Sequence, residues 1–207
     1  MANHRRRWHD PRVLALAEKQ GVSNPEDAVR RLSGALIDET GLSAPPFNPE
    51  ILGSFRDVVA VRRLPMKEAA RLVPLDAGFE VQVNADHTVG KQNFSIGHEV
   101  THTFFAEFGA FEGKVDWETG TFSVKEEEEY LCDVGASALL FDPRWFLPMA
   151  SQLGLSSSAI LELAKAFGGS LEATARAWCE LNLWSCAVVF WGEGLKPSQR
   201  FLVHQTA

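Results

Sequence analysis

With 207 residues, 45% hydrophobic and 23% charged, the chain has the mixture of a globular protein with one conventional core, which excludes the disordered and fibrous classes. Its 27 acidic residues outnumber 20 basic ones, so it should repel polyanions, and only His4-Arg5-Arg6-Arg7 concentrates positive charge. No export signal is expected after that basic start, because Arg12, Glu18 and Lys19 interrupt the apolar residues. No membrane span is expected either, since the longest apolar run, Leu183 to Trp191, is far shorter than the roughly 20 residues a bilayer requires.

In chain order, a helix is expected from Pro11 to Gln20, stopped by Gly21. A second runs from Pro25 to Thr40, with Asn24 as its cap and Gly41 as its stop; Val29, Leu32, Leu36 and Ile37 form its packing stripe. A proline-rich connection, Ser43 to Glu50, leads to a short helix around Ile51 to Phe55 and a strand in DVVAVRRL. FEVQVNA, from Phe79 to Ala85, alternates apolar and polar residues and is the clearest strand, either inside a sheet or at its edge, where a peptide would add to it. Helical patterning then spans Ser95 to Phe108, stopped by Gly109. A capping box, Ser123 with Glu126, opens a helix that continues to Phe141 and ends at Asp142-Pro143. Two more helices flank Gly168-Gly169, with Ser170 capping the second, and SCAVVFW and RFLVH read as strands joined through GEGLKPSQ. The class is α+β without the alternation of a doubly wound sheet. Residues 1–207 are expected to form one domain, with 1–45 a helical extension and 150–207 a helical pair plus strands closing the core.

The chemistry lies in HEVTH. His98 and His102, four residues apart, share one helical face, where both imidazoles can converge on one cation. Neutral imidazole suits zinc, and Glu99 beside it suits a general base that takes a proton from activated water and returns it to a leaving amine. Catalytic zinc takes three protein ligands. A downstream histidine in the HExxHxxGxxH pattern is excluded, because positions 105 and 108 are Phe105 and Phe108, so the third ligand is expected from a second helix. Of Glu126, Glu127, Glu128 and Glu129, only Glu129 has an acidic residue one turn on, Asp133, placed to orient a histidine from the second coordination shell. The first three are read as solvated residues favouring the helix dipole. Cys132, about 100° round the helix from Asp133, is read as a small buried residue. The three cysteines, Cys132, Cys179 and Cys186, lack metal-knuckle spacing and fit a reducing, cytoplasmic setting.

These pieces resemble the ImmA/IrrE-type metallopeptidases, also called the domain-of-unknown-function 955 group, which are similar to gluzincins. VNADHTVGKQNFSIGHEVTH resembles the family's strand, approach and HExxH helix; EYLCDVGASALL resembles its second ligand helix; FGGSLEATARAWCELN with SCAVVFW resembles the segment that closes its core. The chain departs from the family at Lys91-Gln92-Asn93-Phe94-Ser95, where Arg-x-Arg-Phe-Thr is usual, at Thr101, and at Phe141-Asp142-Pro143 in place of Met-Pro. The resemblance implies a zincin-like core with a small mixed or antiparallel sheet, zinc ligands His98, His102 and Glu129, and Glu99 as base. It also implies a protein substrate such as a helix-turn-helix repressor, and a role in stress response and transcription regulation.

A group that holds the oxyanion is usual in such sites. His87, after the clear strand, is preferred to Tyr130, which adjoins Glu129. SLEATARAW resembles a recognition helix but carries only Arg176 with Glu172 beside it, so core packing of Trp178 and Trp184 is expected and direct nucleic-acid binding is not. The alternative to an endopeptidase is a non-catalytic, DNA-associated regulator with a vestigial metal site; intact Glu99 favours the enzyme.

Overall fold

The computed structural model describes residues 7–108 and 124–189. The expected Ser123 cap, the Gly109 stop, the GEGLKPSQ turn and the RFLVH strand lie outside them. Helix α1 (Pro11–Lys19) and helix α2 (Pro25–Thr40) start where Asp10 and Asn24 accept the backbone N–H of Arg12 and Glu26, each with proline at the first helical position. Gly41 ends α2 in the left-handed conformation. Helix α3 (Pro49–Ser54) leads into a three-stranded sheet of β1 (Val58–Leu64), β2 (Ala70–Leu75) and β3 (Gly78–Asn84), in the order β1-β3-β2. β1 pairs parallel and β2 antiparallel with β3, so the sheet is mixed and the FEVQVNA strand is its interior, not its edge. The edges are β1 and β2, and β2 is missed by sequence reading because Pro74 weakens a strand pattern; an edge strand tolerates proline, and Pro74 pairs with Phe79 there.

Helix α4 (Val89–His102) carries HEVTH and is displaced about six residues from the expected span. Its start at Thr88 has no side-chain cap, hence no signal in the sequence. Its end follows from Phe104 and Phe105, adjacent residues that both enter the core and turn the chain out of the helix into a short 3₁₀ turn at Ala106–Phe108. Helix α5 (Val124–Leu140) follows, and then α6 (Pro143–Leu153), which was unanticipated: Asp142 closes α5 but also caps α6 by accepting the N–H of Arg144 at 2.8 Å. Helices α7 (Ser157–Phe167) and α8 (Leu171–Glu180) match expectation, with Ser156 and Ser170 as caps. The described part of SCAVVFW, residues 185–189, forms no strand; its expected partner lies outside the described residues. No helix among the described residues is long and apolar enough to cross a membrane.

One core unites α1 to α5 with the sheet around Val13, Val29, Ile37, Val81, Ile96, Val100 and Leu131; a second, around Phe141, Phe146, Leu163, Phe167 and Trp178, joins the end of α5 to α6, α7 and α8. Trp178 is thus a packing residue, with Trp184 against it at 5.3 Å. The pairing that matters for function is α4 on α5. Gly97 faces Ala136 with room for little more than van der Waals contact, and a methyl group at Gly135 would fall 2.4 Å from Cγ2 and Oγ1 of buried Thr101. Small residues therefore set how near the two helices approach. Gly135→Ala is expected to destabilise the protein by about 1–3 kcal/mol, as overpacking does, seen as a lower urea midpoint with unchanged slope. Gly34→Ala, in α2 with open space around it, should not destabilise.

Candidate metal centre

α4 and α5 cross antiparallel at the site, so that Asp133 of α5 stands beside His98 and Glu128 beside His102. His98 Nδ1 lies 2.9 Å from Asp133 Oδ1, and His102 Nδ1 lies 2.8 Å from Glu128 Oε1. Each imidazole is thus engaged through Nδ1 by its own carboxylate, which favours the proton on that nitrogen and leaves Nε2 available to a metal. The two Nε2 atoms turn toward Glu129, whose Oε2 is 3.2 Å from that of His98 and 3.9 Å from that of His102. Donors sharing one tetrahedral zinc stand roughly 3.3 Å apart, given bonds of about 2.0–2.1 Å. Two neutral nitrogens and a carboxylate with this convergence fit a divalent cation.

Glu99, 7% exposed, lies at the same cleft; burial and the charge of Glu129 raise its pKa, the two histidines oppose this, and the backbone of Leu72 on β2 reaches its carboxylate. The cleft, about 700 Å³, is lined by β2 residues Ala70 to Leu72, by Glu99, His102, Glu128 and Glu129, and by Arg12. An edge strand, a buried carboxylate with an elevated pKa, and the donor atoms of His102 and Glu129 thus meet in one cavity.

Two readings of the sequence are corrected here, and a third, Cys132 as a small buried residue, is met and extended. Glu128 is not a solvated residue, since it holds His102 on one side and Arg12 Nη2 on the other at 2.5 Å. Glu127 is buried and accepts the backbone N–H groups of His9 and Asp10 at 2.9 Å. Cys132, buried under the site, presents its sulfur within 4.8 Å of the histidine donors, so that His98, His102 and Cys132 form a second candidate ligand set. Its angle matters relative to Glu129, three residues back and so about 60° away round the helix, not relative to Asp133. Burial, reinforced by Glu128, Glu129, Glu99 and Asp133, holds its thiol pKa well above the ordinary value.

Neither proposed oxyanion group lines the cleft. His87 precedes Thr88, the first residue before α4, and is not among the residues that line the cleft. The Tyr130 hydroxyl donates to Glu26 on α2 at 3.0 Å, and its ring faces Trp8. Arg12 and Glu128 are the residues the sequence did not reveal. For Glu128 a signal existed, since the rule that selects Asp133 for one histidine demands a carboxylate for the other.

Without a metal, the surroundings of His98 favour its charged form. Burial works against its charged form, but hydrogen bonds to Asp133 and Glu129 outweigh this and raise its pKa to about 9 from 6.5. The raised pKa stabilises the metal-free fold fully below pH 6.5 and is lost as pH rises through about 9, a contribution on the order of 3 kcal/mol. Thermal unfolding of metal-free protein is therefore expected to shift to lower temperature between pH 7 and 9.5, and His98→Gln should flatten that decline.

The pattern of the IrrE N-terminal-like domain family, Peptidase_M78, matches residues 58–178. No curated protein matches the chain significantly. Among solved structures, a Mycobacterium tuberculosis transcriptional regulator is similar in fold, with a TM-score of 0.52 at 18% identity, over 78% of this chain and 48% of that one. The chain thus spans about half the length of that regulator.

Proposed function

We propose that this chain, which belongs to the IrrE N-terminal-like peptidase family, is a zinc-dependent endopeptidase that cleaves a specific cytoplasmic protein. The convergence of His98 Nε2, His102 Nε2 and Glu129 beside Glu99 carries this reading. Zinc held by His98, His102 and Glu129 would polarise a peptide carbonyl and make water nucleophilic near neutral pH. Asp133 and Glu128 keep the two imidazoles turned toward the ion. Glu99, its pKa raised by burial, accepts the proton of the attacking water and delivers it to the leaving amine. An extended substrate adds to the outer edge of β2, which brings its backbone alongside Glu99.

The substrate we assign is a DNA-binding repressor, whose cleavage would relieve repression under stress. The resemblance to ImmA/IrrE-type peptidases supports this reading. A second reading, a DNA-associated regulator with a closed and non-catalytic metal site, is favoured by Cys132, because a fourth ligand there would fill the open position that hydrolysis needs. Incubating candidate helix-turn-helix repressors with the wild type and with Glu99→Gln separates the two readings. Cleavage by the wild type alone supports the peptidase; identical behaviour of both proteins removes it.

A further inference from the structure

The N-terminal segment lies before the stretch 58–178 that matches the family, yet it is bound directly to the helix that bears Glu129. Glu127 accepts three hydrogen bonds from the backbone N–H groups of His9 and Asp10. Two residues on, the Arg12 guanidinium spans two carboxylates. Its Nη2 donates to Asp10 Oδ2 at 2.9 Å and to Glu128 Oε2 at 2.5 Å. Asp10 is wholly buried, caps α1 through the Arg12 N–H at 2.8 Å, and so cannot swing away. The other oxygen of Glu128 meets His102 Nδ1 at 2.8 Å. A continuous path therefore runs from Asp10 through Arg12 and Glu128 to His102.

Each step of that path restricts the next. Glu128 has several rotatable bonds, and without a partner on Oε2 it would choose between His102 and the water of the cleft. A guanidinium, always charged and planar, anchors one carboxylate oxygen and leaves the other for the ring. His98 differs: its carboxylate, Asp133, is exposed, and no ion pair to a basic residue is seen for it among the described residues.

We propose that Arg12 is a positioning residue of the metal centre, which holds Glu128 so that His102 keeps its proton on Nδ1 and its Nε2 toward the metal. The N-terminal segment is then an integral part of the peptidase site, although the family pattern begins 46 residues after Arg12. This inference rests on the metal-centre reading above. It predicts a graded series, since lysine supplies the charge but not the second donor, Nε, that grips Asp10 while Nη2 reaches Glu128, and methionine supplies neither.

The test is zinc affinity by chelator competition for the wild type, Arg12→Lys, Arg12→Met and His98→Ala, together with the visible spectrum of the cobalt-loaded proteins and ¹⁵N chemical shifts of the His102 ring in the metal-free ones. Arg12→Met should bind about 10–100-fold more weakly, as loss of an outer-shell partner does. Its cobalt bands should shift, its His102 should become a mixture of tautomers, and Arg12→Lys should fall between it and the wild type. Wild-type affinity, cobalt spectrum and tautomer in Arg12→Met would overturn the inference. Should Arg12→Met not fold, Arg12→Lys decides alone: intermediate affinity supports the proposal and wild-type affinity overturns it. If the wild type binds zinc no better than His98→Ala, the metal-centre reading itself fails, and the inference with it.

Discussion

Glu99→Gln is expected to lower peptide hydrolysis by about 10²–10⁴-fold, the usual contribution of a positioned general base, while leaving zinc affinity close to that of the wild type. The substitution is nearly isosteric, and Glu99 is not among the groups that hold His98 or His102 in place. What it removes is a carboxylate whose pKa burial has raised, which places it nearer the operating range of a group that takes and returns a proton. A glutamine amide accepts hydrogen bonds but not that proton. Single-turnover cleavage of a repressor, followed beside metal content, measures both quantities. Unchanged cleavage would mean that Glu99 is only a buried acid beside an edge strand.

The second large effect concerns which donor completes the site. Glu129→Ala should weaken zinc binding by more than the ~10–100-fold that a supporting carboxylate carries, whereas Cys132→Ala should leave both zinc binding and cleavage intact. Glu129 stands at the rim of the cleft, its side chain 44% exposed. Cys132 would have to ionise under full burial, among four carboxylates that already hold its pKa up. The opposite result, with zinc lost in Cys132→Ala, would identify a four-ligand structural centre and favour the regulatory reading over the enzyme.

What could be read in advance follows how local each feature is. α2 was legible at both ends because Asn24, Pro25 and Gly41 act within a turn of their own position. The histidine pair was legible because a spacing of four residues fixes a helical face wherever the helix packs. α4 was misplaced because a helix without a side-chain cap, ended by two phenylalanines entering the core, leaves no local mark. β2 was hidden by Pro74, which only the pairing with β3 shows to be harmless.

The site divides along the same line. From the sequence alone came two imidazoles on one helical face, the carboxylate beside them, and a second helix on which Glu129 and Asp133 stand one turn apart. Those relations depend only on helix geometry. The tertiary structure decided the rest: that Glu128 serves His102, that Cys132 lies beneath the two histidines, that β2 is an edge of the sheet and β3 its interior, and that Arg12 reaches a carboxylate 116 positions away. These depend on the rotation and close approach of α4 against α5 and on where α1 docks. Packing of small residues such as Gly135 and pairing of buried charges set those contacts, and neither leaves a periodic trace along the chain.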